Sequence, residues 1–269
     1  MTTVVAHAKR ETAAHEAATP AGVPLTVLTI NTHKGFGFFN RRFMLHELRE
    51  AVRAVSADVV FLQEVLGAHE AHSRRYANWP DASHYEFLAD EIWPDFAYGR
   101  NAVYPDGHHG NALLSKLPIA RHENRDVTIS TEEKRGLLHC VLYLPSRDLE
   151  LHTICVHLGL REEQRAQQLE LLCRMVQKDT PPAAPLVIAG DFNDWRQRGH
   201  TALHRCPGLR EVFVETYGRP ARTFPARWPM LPLDRIYVRN VAVEHAAVLS
   251  MRPWSHLSDH APLVARVII

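Results

Sequence analysis

The stretch PLVIAGDFNDW, residues 185–195, decides how this chain reads. Leu186 to Ala189 is an apolar run of the kind that fills a fully buried strand. The run halts at Gly190 and then delivers Asp191, Asn193 and Asp194 within four positions. Short polar side chains after a strand are often turn formers. The alternative is that the strand end carries chemistry, and the rest of the chain decides between the two.

The same pattern recurs at other strand-like runs. LTVLTIN (25–31) ends at Asn31. ADVVFLQEV (57–65) ends in Gln63 and Glu64, and LELHTICVHLGL (149–160) contains His157. Asp234 opens the run RIYV, and Asp259 and His260 precede APLVARVII. Strand ends along one rim of a sheet bring such groups together. Carboxylate and amide oxygens without thiolates suit Mg²⁺ or Mn²⁺. Imidazoles beside them stabilise or protonate oxyanions, so the set suits phosphate-ester hydrolysis.

The remaining sequence frames that site. NRRFMLHELREAVRAV (40–55) places Phe43, Leu48, Val52 and Val55 on one helical face, with Asn40 as the expected N-cap. SHYEFLADEIWP (83–94) predicts a helix that stops at Pro94. FAYGRNAVY and NALLSKLPI, on either side of PDGHHG, predict a hairpin with His108 and His109 at its tip. KRGLLHCVLYL (134–144) and the 149–160 run predict a second hairpin. Residues 162–178 carry Ala166, Leu169, Leu172 and Val176 at helical spacing. Strands dominate without strict βαβ alternation, which suggests two mostly antiparallel sheets with outer helices.

Composition bounds the rest. The chain has 269 residues, enough for one large domain, and 31 Lys+Arg against 30 Asp+Glu. That balance neither supports a nucleic-acid partner nor excludes a local basic groove. Cysteines at 140, 155, 173 and 206 show no C-x-x-C pair, so buried free thiols in a reducing compartment are expected. Residues 1–23 read as a mobile extension without a signal peptide, and 24–269 as the domain. No run approaches the roughly 20 apolar residues of a membrane span. These features predict a cytoplasmic protein with no integral membrane segment and no obligate protein partner.

Taken together, IN (30–31), LQEV (62–65), GNALLSKLPI (110–119), HLG (157–159), GDFND (190–194), LDRIYV (233–238) and SDHAPL (258–263) resemble the endonuclease/exonuclease/phosphatase superfamily. DNase I-like nucleases and bacterial sphingomyelinases belong to it. The likeness runs from about residue 24 to the C-terminus. NTHKGF, RRFMLHELREAVR and TFPARWPMLPLDRIYV further resemble a bacterial subgroup of unassigned members.

The resemblance implies an α+β fold, a four-layer α/β/β/α sandwich with its site at the sheet rim. It implies Glu64, Asn31 and Asp259 as ligands or neighbours of a Mg²⁺ or Mn²⁺ ion. It implies Asp191 as the group orienting or deprotonating water, with Asn193 holding it. It implies His260 at the scissile phosphate with Asp234 behind it, and His157 as a second histidine. Asn111 takes the place of the family's active-site asparagine, and Arg135 that of a basic residue before a glycine. The loop with Arg219, Arg222, Arg227, Phe224 and Trp228 suits phosphate contact, base stacking or an amphipathic headgroup, and equally a Pro-stiffened structural loop. Arg222 is the substrate-binding candidate taken from it. His33 and Lys34 line the site or a solvated loop equally well. The expected activity is metal-dependent phosphodiesterase or nuclease chemistry, with a phospholipid or small phosphate ester as the alternative substrate. The full complement of acids and imidazoles argues against a binding-only protein. The lack of H-E-x-x-H argues against a zinc hydrolase.

Overall fold

The computed structural model describes residues 22–38, 42–130, 132–203 and 206–269. Twelve strands among them form two six-stranded sheets. The first contains β1 (Pro24–Asn31), β2 (Val59–His69), β3 (Asp95–Tyr104), β4 (Gly107–Ser115), β11 (Ala242–Val248) and β12 (Leu263–Ile268), in the order β11-β12-β1-β2-β4-β3. The second contains β5 (Ile119–Asp126), β6 (Gly136–Leu144), β7 (Leu149–His157), β8 (Leu186–Asp191), β9 (Arg210–Glu211) and β10 (Asp234–Arg239), in the order β5-β6-β7-β8-β10-β9. Each sheet has one parallel pair, β1 with β2 and β7 with β8, and is otherwise antiparallel.

Three apolar clusters separate four layers. Phe61, Leu113, Leu138, Val187 and Ile236 pack between the sheets. Leu28, Val60 and Leu114 on the outer face of the first sheet meet Leu45, Leu48 and Val52 of helix α1 (Leu45–Val55). Ile154, Ile188 and Leu186 on the outer face of the second meet Leu169, Leu172 and Val176 of the long helix Glu162–Asp179. The central strands are buried on both faces, which is why they read as unbroken apolar runs instead of alternating ones. Each such Val, Leu or Phe contributes about 1.5–3 kcal/mol of burial. The α/β/β/α sandwich is as expected.

Local readings need four corrections. The helix at 40–55 starts at Leu45, with Met44 as N-cap and no side-chain cap bond; Asn40 lies outside the described residues. The helix at 83–94 is a short one, His84–Ala89, opened by a Ser83–Glu86 capping box and ended at Asp90 (φ 48°), before Pro94 is reached. His108 and His109 are strand residues of β4, because the turn closes tightly at Pro105–Asp106. Cys173 and Cys206 form a disulfide with Cα atoms 5.6 Å apart, while Cys140 and Cys155 are free and buried. Partners 33 residues apart leave no spacing signature. The bond also removes the argument from cysteine usage to a reducing compartment.

At the N-terminal side, Val23 pairs with Ile269 in both directions, which ties the residue before β1 to the residue after β12. Residues 1–21 lie outside the described residues. No described helix is long and apolar enough to cross a membrane.

Candidate active site

Strand register assembles the second sheet's share of the site. His157 lies opposite Asp191 in the parallel pair β7–β8, and Asp191 lies opposite Asp234 in the antiparallel pair β8–β10. An imidazole and two carboxylates therefore form one cross-strand row at the rim, all buried. The first sheet supplies Asn31 from the end of β1, Glu64 from β2, and Asp259 and His260 from the residues before β12.

Glu64 reaches the rim through a β-bulge. Gln63 and Glu64 together oppose Asn111, the register shifting between Leu62 and Val65. Glu64 takes a left-handed φ of 54° there. Thr32 holds the strained step, its hydroxyl donating to the carbonyls of Gln63 (2.9 Å) and Glu64 (3.1 Å). Gln63 then turns inward to Thr29 while Glu64 turns out to the site.

Asp191 has both oxygens engaged. Oδ1 accepts the backbone N–H of Asn193 at 2.8 Å, an Asx turn that suits Asn193's φ of 50°. Oδ2 accepts Asn31 Nδ2 at 3.1 Å, and the same amide lies 3.4 Å from Glu64 Oε1. His157 Nε2 is 3.7 Å and His260 Nε2 3.8 Å from Asp191 Oδ2. His157 Nε2 is also 4.0 Å from Glu64 Oε1. His260 Nδ1 meets Asp234 Oδ2 at 2.8 Å, and the Phe224 ring covers His260 with centroids 5.1 Å apart.

The two imidazoles differ in charge. Burial, with the positive charges of Arg135 and His260 nearby, pushes His157 well below the usual histidine value, so it is neutral. Burial pulls His260 the same way, but the carboxylates of Asp234 and Asp191 outweigh it and hold the ring protonated. Burial raises Asp191, against the opposing charge of His260. Burial also pushes Glu64 upward, yet Lys34, His33 and the Asn31 donor win and keep it anionic.

Among the described residues, Asp191, Asp234 and His260 form a tight group with ligand atoms within 4.8 Å. Its geometry is that of an oriented, protonated imidazole between two acids, and a cationic ring does not ligate a metal. Glu64 and Asn31 suit a hard divalent ion better: an anionic carboxylate partly open to solvent and a buried amide beside it, for an ion that keeps several waters. Asp259 stands at this edge, its Oδ1 3.6 Å from His33 Nδ1 and 3.3 Å from Ser258 Oγ.

The other expected residues have different surroundings. Asn111 is buried between the sheets, donating to the carbonyls of Gly136 (2.9 Å) and Cys155 (3.3 Å). Asn193 holds Asp191 through its backbone, while its side-chain amide is committed to Leu158 O at 2.9 Å. Asp194 caps the helix Arg198–Leu203 through the N–H groups of Arg198 and Gly199, a structural role. Arg135 is braced by Glu133 (2.6 Å) and Leu158 O (3.1 Å), so it supports the loop after His157. Arg222 is not brought to the site. It is exposed and lines a separate cleft of about 700 Å³ with Phe213, Tyr217, Arg219 and Val248. Its neighbour Thr223 turns inward, accepting the N–H of Asp234 at 3.3 Å, and extended backbone sends the next side chain the other way.

Sequence reasoning left three groups out of the catalytic set. Lys34 bears electrostatically on Glu64, His109 and His157, which places its charge at the site. His109 likewise bears on Glu64. His33 and Lys34 occupy a left-handed turn (φ 47° and 56°) immediately after Asn31, and His33 N–H donates to Asn31 Oδ1 at 3.0 Å. Their proximity to Asn31 was the available signal. For His109 it was the pairing of its strand with β2.

Residues 28–260 match the family model described as Endonuclease/Exonuclease/phosphatase family. The chain belongs to the endonuclease/exonuclease/phosphatase family. An uncharacterised Escherichia coli K12 protein, YbhP, is 58% identical over 241 residues, covering 90% of this chain and 95% of its own. Solved structures share the fold at lower identity. An endonuclease/exonuclease/phosphatase from Beutenbergia cavernae superposes with a TM-score of 0.71 at 18% identity, over 91% of this chain and 72% of its own. D. rerio TDP2, complexed with a single-strand DNA product, gives 0.68 at 19%, over 91% and 99%. The Bacteroides thetaiotaomicron mannosyl-6-phosphatase Bt3783 gives 0.70 at 16%, over 91% and 100%. Proteins that share the sandwich thus bear names with quite different substrates.

Proposed function

We propose that this protein hydrolyses phosphate esters with a Mg²⁺ or Mn²⁺ ion, foremost as a phosphodiesterase or nuclease, by in-line attack of water. One observation carries the reading: a buried carboxylate, Asp191, stands between a neutral and a protonated imidazole at 3.7 and 3.8 Å, beside the anionic Glu64. Glu64 and Asn31, with Asp259 at the edge, would hold the ion, which supplies Lewis-acid polarisation of the phosphoryl oxygens.

The chain's own groups account for the rest. Asp191, fixed by Asn193 N–H and Asn31 Nδ2, orients the water and accepts its proton as the new O–P bond forms. His260, held by Asp234, presents Nε2–H to a phosphate oxygen as charge develops there. The ester P–O bond breaks opposite the entering water, and the leaving oxygen takes up a proton. His157 is placed beside the acids as a neutral hydrogen-bonding partner.

The test uses purified protein and aryl phosphate mono- and diesters. Turnover requires added Mg²⁺ or Mn²⁺, falls to background with a chelator, and returns on readdition. Activity indifferent to chelation defeats the reading. Plasmid and abasic duplex in the same assay separate nuclease from small-ester chemistry.

Two further outcomes are expected. Asp234→Asn removes the charge that keeps His260 protonated. A raised folded-state value means the cation is present at low pH and lost as pH rises through it. The variant therefore loses activity from the alkaline side first, its basic limb moving to lower pH, with kcat down about 10²-fold or more. A pH profile identical to wild type contradicts the pairing. Lys34→Ala raises KM roughly tenfold with a smaller effect on kcat, because a surface-facing ammonium contributes about 1–2 kcal/mol to anion binding; initial rates across substrate concentration check this.

A further inference from the structure

Four of the eleven large hydrophobic side chains left exposed among the described residues sit on two segments tied to the active site. Trp228, Met230 and Leu231 come from the segment that precedes Asp234, and Met251 from the one that precedes His260. Single exposed apolar residues need no explanation, but several on two segments bonded to each other do. Trp228 is 71%, Met230 62% and Met251 80% exposed.

The loop carrying Trp228 is tied to the site. Phe224 bridges to Leu231 across its base. Ala226 N–H donates to Asp259 O at 2.7 Å, and Ala261 N–H to Thr223 O at 2.9 Å. The apolar tips therefore project from a braced hairpin beside the metal edge. The charges run with them. Arg227 and Arg252 have no carboxylate partner among the described residues, whereas Arg121, Arg125, Arg135, Arg196, Arg198 and Arg266 do. Arg227 and Arg252 both bear on His256, and Arg227 also lies 5.9 Å over the Phe38 ring.

We infer that this rim seats on an anionic phospholipid surface, which makes a lipid phosphate ester at the membrane–water interface the substrate; this rests on the phosphate-ester reading of the site. Unpaired arginines complement anionic headgroups, and flexible aliphatic tips enter the acyl boundary beside them. A single nucleic-acid strand uses stacking rings and a long basic track. Here two methionines and a leucine accompany one tryptophan, and the whole chain carries a formal charge of only +1.

The experiment sediments the full chain with vesicles of phosphatidylcholine alone or of phosphatidylcholine mixed with phosphatidylglycerol. The wild type pellets with the mixed vesicles and not with phosphatidylcholine, and salt releases it. Arg227→Glu combined with Arg252→Glu weakens partitioning about 30-fold or more, at about 1 kcal/mol per basic residue. Trp228→Ala with Met230→Ser and Met251→Ser weakens it about tenfold. Both variants hydrolyse a soluble aryl phosphate ester at the wild-type rate, which also shows that they fold. A wild-type chain that stays in the supernatant overturns the inference, as do variants that pellet normally. Capture by a single-stranded oligonucleotide without vesicle binding overturns it in favour of nucleic acid. If the soluble ester is not hydrolysed at all, the phosphate-ester reading falls, and sedimentation still decides the surface.

Discussion

Asp191→Asn lowers kcat on a soluble phosphate ester by about 10³-fold, while leaving KM within a few-fold. The replacement is isosteric and removes a buried charge whose burial opposes ionisation, so thermal stability is unchanged or raised. Asn193 N–H keeps its acceptor when the retained oxygen takes the place of Oδ1, and the new amide nitrogen then faces Asn31, whose amide turns over to present its oxygen. Proton acceptance is lost, together with one of the two carboxylate charges that hold His260 protonated, while that of Asp234 remains. Loss of rate with a matching fall in Tm would mean that the residue is structural. A variant within tenfold of wild type would move the base elsewhere in the cluster.

The second large effect is on folding. Gly190→Ala is expected to cost roughly 3–5 kcal/mol, combining a disfavoured backbone conformation with a clash that side-chain motion does not relieve. Gly190 has φ 147°, and a Cβ there would lie 1.9 Å from the carbonyl oxygen of Val156 on the neighbouring strand. That strand carries His157, so any relief separates β7 from β8 at the place where His157 faces Asp191. The measured signature is a Tm lower by roughly 10 °C, with activity reduced even in the folded fraction. Gly218→Ala is the control. Its φ is 70° in open space, so it carries backbone strain of about 1 kcal/mol without the clash.

These two positions also show why so much was legible. A doubly buried sheet makes its central strands apolar throughout, so a polar residue at the end of such a run stands out. Asn31, His157, Asp191 and Asp234 stood out on that ground, and the motifs taken together supplied the roles expected of them. Glu64 was readable as a strand end, although β2 continues past it; the bulge that turns it outward leaves no mark in LQEV. His109 was misplaced because PDGHHG looks like a six-residue tip, whereas only two residues make the turn. Arg222 looked like a phosphate contact because its loop is basic and aromatic. Which side of an extended loop a residue faces depends on its neighbour's hydrogen bond, and that bond runs to Asp234, eleven positions away. The disulfide and the Met44 helix start depend on helix packing, which local patterns do not encode.

The Asn31 amide touches one acid from each sheet, Glu64 on the first and Asp191 on the second, while His260 reaches across to Asp234. Neither sheet owns a working half. Turnover is therefore a gauge of how the two halves are seated against each other: a slackened interior between them would silence the enzyme while each sheet still held its own ladder.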